Sequence, residues 1–312
     1  MTILTVTLNP TIDISSDVAE VRPTHKIRTY NQRRHAGGGG INAARVIAEL
    51  GGDPKAVFLS GGATGALLED TLLHLGLAFE AIPIAGFTRI AFMVHEENTG
   101  LEYRFVPEGP DVEAADLEKV IEVVKAFRGE FIVASGSLPH GAPVDTYCRM
   151  ADIARQNSMR FVLDTSGQAL IETLARASVY MVKPSRGELE KFLGHTLDEA
   201  EIGPAAHRLV EEGRAEVVCV TMGGDGAILA SRDGIFHLPA RKLEVRSAVG
   251  AGDSFVGAFV WALAKGYGER DAFRMATAAG TAAVLTPGTE LCQRADIERI
   301  YAETPEPDRI EG

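Results

Sequence analysis

Cysteine is scarce: the chain of 312 residues has 3, Cys148, Cys219 and Cys292, an odd and widely spaced set that fits neither a disulfide framework nor a zinc cluster. Basic residues are also in deficit. Thirty-one Lys and Arg against 43 Asp and Glu leave a net charge of −12, which excludes a protein that coats nucleic acid or an anionic membrane through diffuse basicity. Any anionic ligand must therefore meet a local positive pocket. No apolar run approaches the ~18 residues that span a bilayer. No basic region precedes the short N-terminal apolar run, which Asn9-Pro10 interrupts, so no secretory signal is expected and the cytoplasm is the expected compartment. Familiar nucleotide signatures are missing as well. There is no GxxxxGK[ST], no GxGxxG after a strand, and no HRD or DFG pair, which excludes a P-loop protein and a protein kinase.

Glycine is the excess, at 33 of 312 residues against a typical ~7%, so turns or close backbone approaches must use it. Short β-branched runs alternate with helical periodicity along the chain. Strands are predicted at 3–8, 56–59, 131–134, 161–163, 180–182 and 217–221, with a hairpin at 227–238. Helices are predicted at 41–50, 66–75, 144–156, 168–176, 187–193, 205–212, 253–264 and 272–284. This alternation means an α/β sandwich on a largely parallel sheet. The length allows one large domain or two ordinary ones, and the absence of a long Pro, Ser or Gly linker favours one main domain.

One segment breaks the rhythm. Residues 89–95 and 101–106 flank Glu96-Glu97-Asn98-Thr99-Gly100, which reads as a β-hairpin. A turn centred between Asn98 and Thr99 puts odd positions before it on one face with even positions after it. Arg89 and Arg104 then share a face, and Ile90, Phe92, Val94, Leu101, Tyr103 and Phe105 form the other. That second face is too apolar to be left in water, so it packs on the main domain or under a second subunit.

Two glycine clusters lead into helices. In Ala248-Val249-Gly250-Ala251-Gly252-Asp253-Ser254-Phe255 the helix-start amides make an anion site, because they lack intrahelical partners and the helix dipole favours negative charge. Asp253 there has two readings, a helix N-cap or a general base that takes the proton of an attacking alcohol. In His35-Ala36-Gly37-Gly38-Gly39-Gly40-Ile41-Asn42 four glycines exceed the needs of a turn and suggest a ligand lying on bare backbone. Asn42 and Asp13 are suited to sugar hydroxyls. Ser135-Gly136-Ser137-Leu138-Pro139, Lys183-Pro184-Ser185-Arg186-Gly187-Glu188 and Thr221-Met222-Gly223-Gly224-Asp225-Gly226 follow predicted strands, where open α/β sheets bind ligands.

In this order the motifs resemble the ribokinase-like, PfkB-type family of sugar kinases over nearly the whole chain, and within it the bacterial phosphofructokinases, for which GGGGIN is the main sign. Relatives in this branch with other substrates show GKGIN, and Gly38 stands in place of that lysine. The resemblance implies a three-layer α/β/α sandwich, a single domain over 1–312 with a small β-sheet lid from about 11–35 and 87–107, and a homodimer joined through the lids. It implies ATP-dependent phosphorylation of a sugar phosphate, with fructose 6-phosphate expected and fructose 1-phosphate or tagatose 6-phosphate as alternatives. A nucleoside kinase, which needs no paired arginines, and a non-catalytic sugar-phosphate sensor are weaker alternatives.

Roles follow from the same resemblance. Asp253 is the expected base, with Gly250, Ala251 and Gly252 as the anion hole. Asp13, Gly38, Gly39 and Asn42 hold the sugar, and Lys26, Arg89, Arg104 and Ser137 hold its phosphate. Lys183, Ser185, Glu188, Thr221, Gly223 and Gly226 lie along ATP, with Glu188 reaching Mg2+ through water. K+ is expected at backbone groups of Ser247, Val249, Ala283 and Gly288. Ser185 departs from the family, which has asparagine there. A phosphate of charge about −1.5 to −2 approaching a protein of net charge −12 needs arginines at the site itself, and bidentate Arg–phosphate pairing suits Arg89 and Arg104.

Overall fold

The run Ile3–Thr7 is buried at every position, and a strand with no polar face needs cover on both sides. The computed structural model describes residues 2–241, 243 and 245–311 and shows how that cover is built. β1 (Ile3–Thr7), β2 (Thr11–Val18) and β3 (Tyr30–Gly37) precede α1 (Gly39–Glu49), β4 (Pro54–Ser60), α2 (Gly62–His74) and β5 (Ala78–Pro83). A hairpin of β6 (Arg89–Glu96) and β7 (Leu101–Phe105) follows. Next come α3 (Ala114–Ala126), β8 (Phe131–Ser135), α4 (Thr146–Gln156), β9 (Arg160–Asp164), α5 (Gly167–Arg176) and β10 (Val179–Val182). The remainder is α6 (Arg186–Leu193), α7 (Glu199–Glu211), β11 (Ala215–Thr221), β12 (Ala227–Ser231), β13 (Gly234–Leu238), α8 (Ala251–Ala264), α9 (Glu269–Ala283), α10 (Arg294–Glu303) and β14 (Asp308–Ile310).

Ten strands form one sheet in the order β14-β13-β12-β11-β10-β9-β8-β1-β4-β5. It is parallel from β5 to β11 and antiparallel from there to β14. One face packs on α3, α4, α5, α6 and α7 through residues such as Val120, Met150, Leu170, Leu189 and Ile202. The other packs on α1, α8, α9 and α10 through Val46, Phe259, Phe273 and Ile297. The expected three layers are the ones observed. Sequence reading passed over α3, whose Leu117, Val120, Ile121 and Val124 are buried at helical spacing, together with β5, α10 and β14. It also started α7 after Pro204. A capping box of Asp198 and Glu201 begins that helix earlier and leaves Pro204 inside it.

A separate four-stranded sheet, in the order β3-β2-β6-β7, comes from two distant stretches of chain. β2 and β6 run parallel along their whole length, and Ile12 and Ala36 anchor the sheet on α1, α2 and β4 through Ile41, Leu68 and Phe58. Met93 faces Arg104 and Phe92 faces Phe105, the register expected of a turn centred between Asn98 and Thr99. On the apolar face Val94 is buried, but Ile90 is 39%, Leu101 56% and Phe105 60% exposed. The main domain therefore leaves much of this face uncovered.

Candidate active site

Gly250 makes the turn into α8 in the left-handed region, at φ 75°, and is itself the N-cap. Asp253 lies in the first helical turn, and no side chain caps the helix. Its N-cap reading is thereby excluded, and the first-turn amides are left for an anion. Asp253 Oδ2 instead accepts a hydrogen bond from Asn42 Nδ2 at 2.8 Å, across 211 residues of sequence. The contact exists because α1 and α8 lie against each other: a Cβ on Gly257 would come within 2.7 Å of the Ala43 carbonyl oxygen. Burial, with the Asp164 carboxylate nearby, raises the Asp253 carboxyl above its ordinary range, opposed by the Asn42 hydrogen bond, Lys183 and Arg45. A carboxylate made more basic is better suited to take a proton from an alcohol.

The four glycines have structural reasons of their own. Gly37 ends β3, and Gly38, at φ 107°, is the N-cap of α1. Cβ atoms would strike the Asp13 carboxylate at Gly37, Thr7 Cγ2 at Gly38, Ser135 at Gly39, and the Val6 carbonyl at Gly40. Close packing of strand ends against the start of α1 thus requires glycine at all four positions, beside the ligand contact that the sequence suggests there. Asp13, on β2 and paired with His35 of β3, is raised to about 6 by burial and by Asp253. Asp13, Asn42 and Asp253 therefore lie together.

The arginines of the small sheet divide. Arg89 spans its base, donating from Nη1 to the Pro107 carbonyl and from Nη2 to the Asn9 carbonyl, each at 2.8 Å. Its Nε is buried without a partner, a donor left for an anion. Asn9, which the sequence reading did not single out, donates to Ser137 Oγ at 3.2 Å and to the Glu108 carbonyl at 2.8 Å, joining this base to the β8 turn. Arg104, on the expected face opposite Met93, pairs with Glu102 at 2.6 Å. Lys26 is exposed between β2 and β3, and the structure forms no hydrogen bond or ion pair between it and the other candidates among the described residues.

A second group gathers at the ends of β9, β10 and β11. The Lys183 ammonium is buried and sits 3.1 Å from Asp164 Oδ1. Burial pulls its pKa down, but Asp164, Glu188 and Asp253 outweigh that and hold it protonated. A bridge between Ser185 and Thr221 sets the 183–188 segment beside the 221–226 turn. Gly223 and Gly224 face open space, whereas a Cβ on Gly226 would strike the Leu238 carbonyl oxygen. Ser185 is the N-cap of α6, and Glu188 Oε2 accepts from both its N–H, at 2.7 Å, and its hydroxyl, at 2.9 Å. One oxygen of Glu188 is thus committed to a capping box, and the other carries any contact to metal. No cluster of three metal-binding side chains occurs among the described residues. That suits Mg2+, which keeps several waters and takes one or two carboxylates plus phosphate oxygens; Asp164 and Glu188 are the carboxylates in place.

The expected monovalent-cation site fits in part. The Arg246 N–H bonds the Val284 carbonyl at 2.8 Å, bringing the loop before α8 to the end of α9, and Ser247 Oγ accepts from the Val249 N–H at 3.3 Å. Ala283 ends α9 beside this loop. Its carbonyl accepts the Thr286 N–H at 3.2 Å, and the single Thr286 hydroxyl proton lies within reach of both the Ala283 and the Glu290 carbonyls, at 2.8 and 2.7 Å. Gly288 packs on the small sheet, where a Cβ would lie 2.8 Å from Ser15 Oγ. Asp164 and Arg45 are the charged residues that sequence reading missed. Position after an apolar strand could have flagged Asp164; nothing local marks Arg45 as inward-facing.

An α/β core with a small accessory sheet, an uncapped glycine-led helix and a basic carboxylate in its first turn defines a small-molecule kinase. The chain belongs to the pfkB family of carbohydrate kinases, whose pattern matches residues 6–296. It is 42% identical over 311 residues to an ATP-dependent 6-phosphofructokinase isozyme 2 of Mycobacterium tuberculosis, covering 99% of this chain and 91% of the relative. A 1-phosphofructokinase of Bacillus subtilis is 32% identical, over 92% of this chain and 95% of that one. The crystal structure of phosphofructokinase-2 from Escherichia coli with substrates and products superposes with a TM-score of 0.93 at 34% identity, covering 97% and 99% of the two chains. The E. coli protein has also been solved with potassium and in a tetrameric inhibited form, with TM-scores of 0.92 and 0.91 and coverage of 97% and 99% in each case. Among the described residues no helix is long and apolar enough to cross a membrane.

Proposed function

We propose that this chain is an ATP-dependent 6-phosphofructokinase, passing the γ-phosphoryl group of ATP in line to the free primary hydroxyl of fructose 6-phosphate to give fructose 1,6-bisphosphate. The observation that carries this reading is the Asp253 carboxylate, held by Asn42 at 2.8 Å in the first turn of an uncapped helix. Asp253 takes the hydroxyl proton, while the amides of Gly250, Ala251 and Gly252 meet the charge that develops on the transferring group. Asp13, Gly38, Gly39 and Asn42 hold the sugar. Arg89, Arg104, Ser137 and Lys26 are the groups that meet its phosphate. Lys183, Ser185, Thr221, Gly223 and Gly226 line the ATP path, and Asp164 with Glu188 holds Mg2+ through water. Bound there, Mg2+ supplies charge neutralisation of the phosphates. K+ binds at backbone groups of Ser247, Val249, Ala283 and Gly288. The uncovered face of Ile90, Leu101 and Phe105 is where a second copy docks to form a dimer. An enzyme that draws on ATP and hexose phosphates works in the cytoplasm.

The relative named 1-phosphofructokinase favours fructose 1-phosphate as the second reading. A sugar-phosphate sensor needs neither a base nor an anion hole, which counts against it. ADP release with fructose 6-phosphate, fructose 1-phosphate and tagatose 6-phosphate separates the kinases. Fructose 6-phosphate should have the highest kcat/KM, and its ranking last would overturn the choice.

A further inference from the structure

α1 carries a cation that the chemistry above leaves unused. Arg45 Nη1 donates to the Ala36 carbonyl at 2.8 Å and to Asn42 Oδ1 at 3.2 Å. Asn42 precedes Arg45 by three residues on the same helix, the spacing at which side chains one turn apart meet. The other end of the Asn42 amide donates to Asp253 Oδ2 at 2.8 Å. A guanidinium has donors and no acceptor, a carboxylate has acceptors and no donor, and an amide has one end of each. Lodged between Arg45 and Asp253, the amide has a single satisfied orientation, with its carbonyl to Arg45 and its NH2 to Asp253. Turned over, it sets donor against donor at one end and acceptor against acceptor at the other, in a buried place where neither is repaired by water. Neutral polar side chains at position 45 would accept either orientation.

We propose that Arg45 is a positioning residue for phosphoryl transfer, acting through Asn42: it locks the amide so that Asn42 holds Asp253 Oδ2 and leaves Oδ1 as the oxygen that receives the proton of the acceptor hydroxyl. The proposal rests on Asp253 being the base. As the new bond between phosphorus and the sugar oxygen forms and the bond to the ADP oxygen breaks, the hydroxyl proton passes to Oδ1 and ADP leaves with its electron pair. Arg45 gives up no proton and meets no reacting atom. Its Nη1 is engaged with Ala36 and Asn42, and its charge lies in the field of Asp13 and Asp253.

The test compares Arg45→Lys, Arg45→Gln and Arg45→Met in steady-state turnover of fructose 6-phosphate and ATP, and repeats Arg45→Gln in an Asp253→Asn background. A bond to a charged group of this kind predicts a fall in kcat of roughly 10–100-fold for Arg45→Gln and Arg45→Met, with the KM for ATP unchanged. Arg45→Lys keeps a donor-only cation and should recover most of the loss. Gln and Lys are close in size, so their difference survives even where Arg45→Met folds poorly. In the Asp253→Asn background Arg45→Gln should lower the residual turnover no further. Wild-type kcat in Arg45→Gln, a Lys variant no better than Gln, or full additivity with Asp253→Asn would each overturn the positioning role. A fully active Asp253→Asn single variant would overturn the base assignment itself, and the single variant alone reports that failure.

Discussion

Replacing Asp13 by asparagine should make this protein more stable at neutral pH while weakening its grip on the sugar. Burial first, and the Asp253 carboxylate second, push Asp13 from 3.8 to about 6, against the Thr11 hydroxyl and the Arg45 and Arg89 guanidinium groups. A carboxyl whose pKa is higher folded than unfolded gives its full support to the fold below the unfolded value, where it is protonated in both states. That support is lost as pH rises through about 6, because the unfolded chain ionises first. At ~1.4 kcal/mol per tenfold, the ionised Asp13 costs about 3 kcal/mol at pH 7.5. Asparagine is nearly the same size and has nothing to ionise. It should recover up to that amount, and at ~2.1 cal/mol/K per residue in a chain of 312 residues each kcal/mol moves Tm by about 1.5 °C. Thermal and urea unfolding of both proteins at several pH values from 4 to 8 reads the difference directly. The advantage of Asp13→Asn should be greatest above pH 7 and shrink steadily below 6. A variant less stable at pH 7.5, or an advantage that ignores pH, would refute the reasoning. In the same variant the KM for the sugar should rise.

Three further outcomes are expected. Asp253→Asn keeps an oxygen for Asn42 and loses only charge and basicity, so kcat should fall by about 10²–10⁴, or roughly 3–5 kcal/mol of transition-state stabilisation, with little change in sugar affinity; undiminished turnover would remove Asp253 from the base role. Arg89→Ala deletes the donors to the Asn9 and Pro107 carbonyls and should raise the KM for fructose 6-phosphate far more than that for ATP. An equal rise in both constants would argue against a phosphate role. Gly40→Ala places a Cβ 2.5 Å from the Val6 carbonyl oxygen and 2.6 Å from Thr7 Oγ1 and should cost about 1–3 kcal/mol, whereas Gly224→Ala, which meets nothing within 4 Å, should leave urea midpoints unchanged. Equal midpoints for the two variants would show that the packing explanation of the glycine cluster is mistaken.

Much of the architecture was legible because its causes are local. Strand and helix alternation follows from hydrophobic period, and the register of β6 and β7 follows from the turn at Asn98 and Thr99, because one residue of slip would reverse both faces. The starts of α1 and α8 were marked by glycine. What failed was local ambiguity of the same kind: Pro204 reads as a boundary, yet the Asp198 and Glu201 capping box begins the helix ahead of it.

By itself, then, the sequence determined the layers, the two glycine-led helix starts and the residue types available for phosphoryl transfer. Tertiary structure decided between readings that want the same residue. Asp253 could be a helix cap until Gly250 took the cap and Asn42 reached its carboxylate, which leaves it free for the role proposed above. Four glycines look excessive for a turn until Asp13, Thr7, Ser135 and Val6 are seen to occupy the space where each Cβ would lie. Arg45, Asn42 and Asp253 form a chain of hydrogen bonds only because α1 and α8 pack on the same face of the sheet. Periodicity and turn chemistry are written within a few neighbouring residues, but the meeting of residues 42 and 253 depends on strand order and on the missing Cβ of Gly257, neither of which any short window of sequence contains.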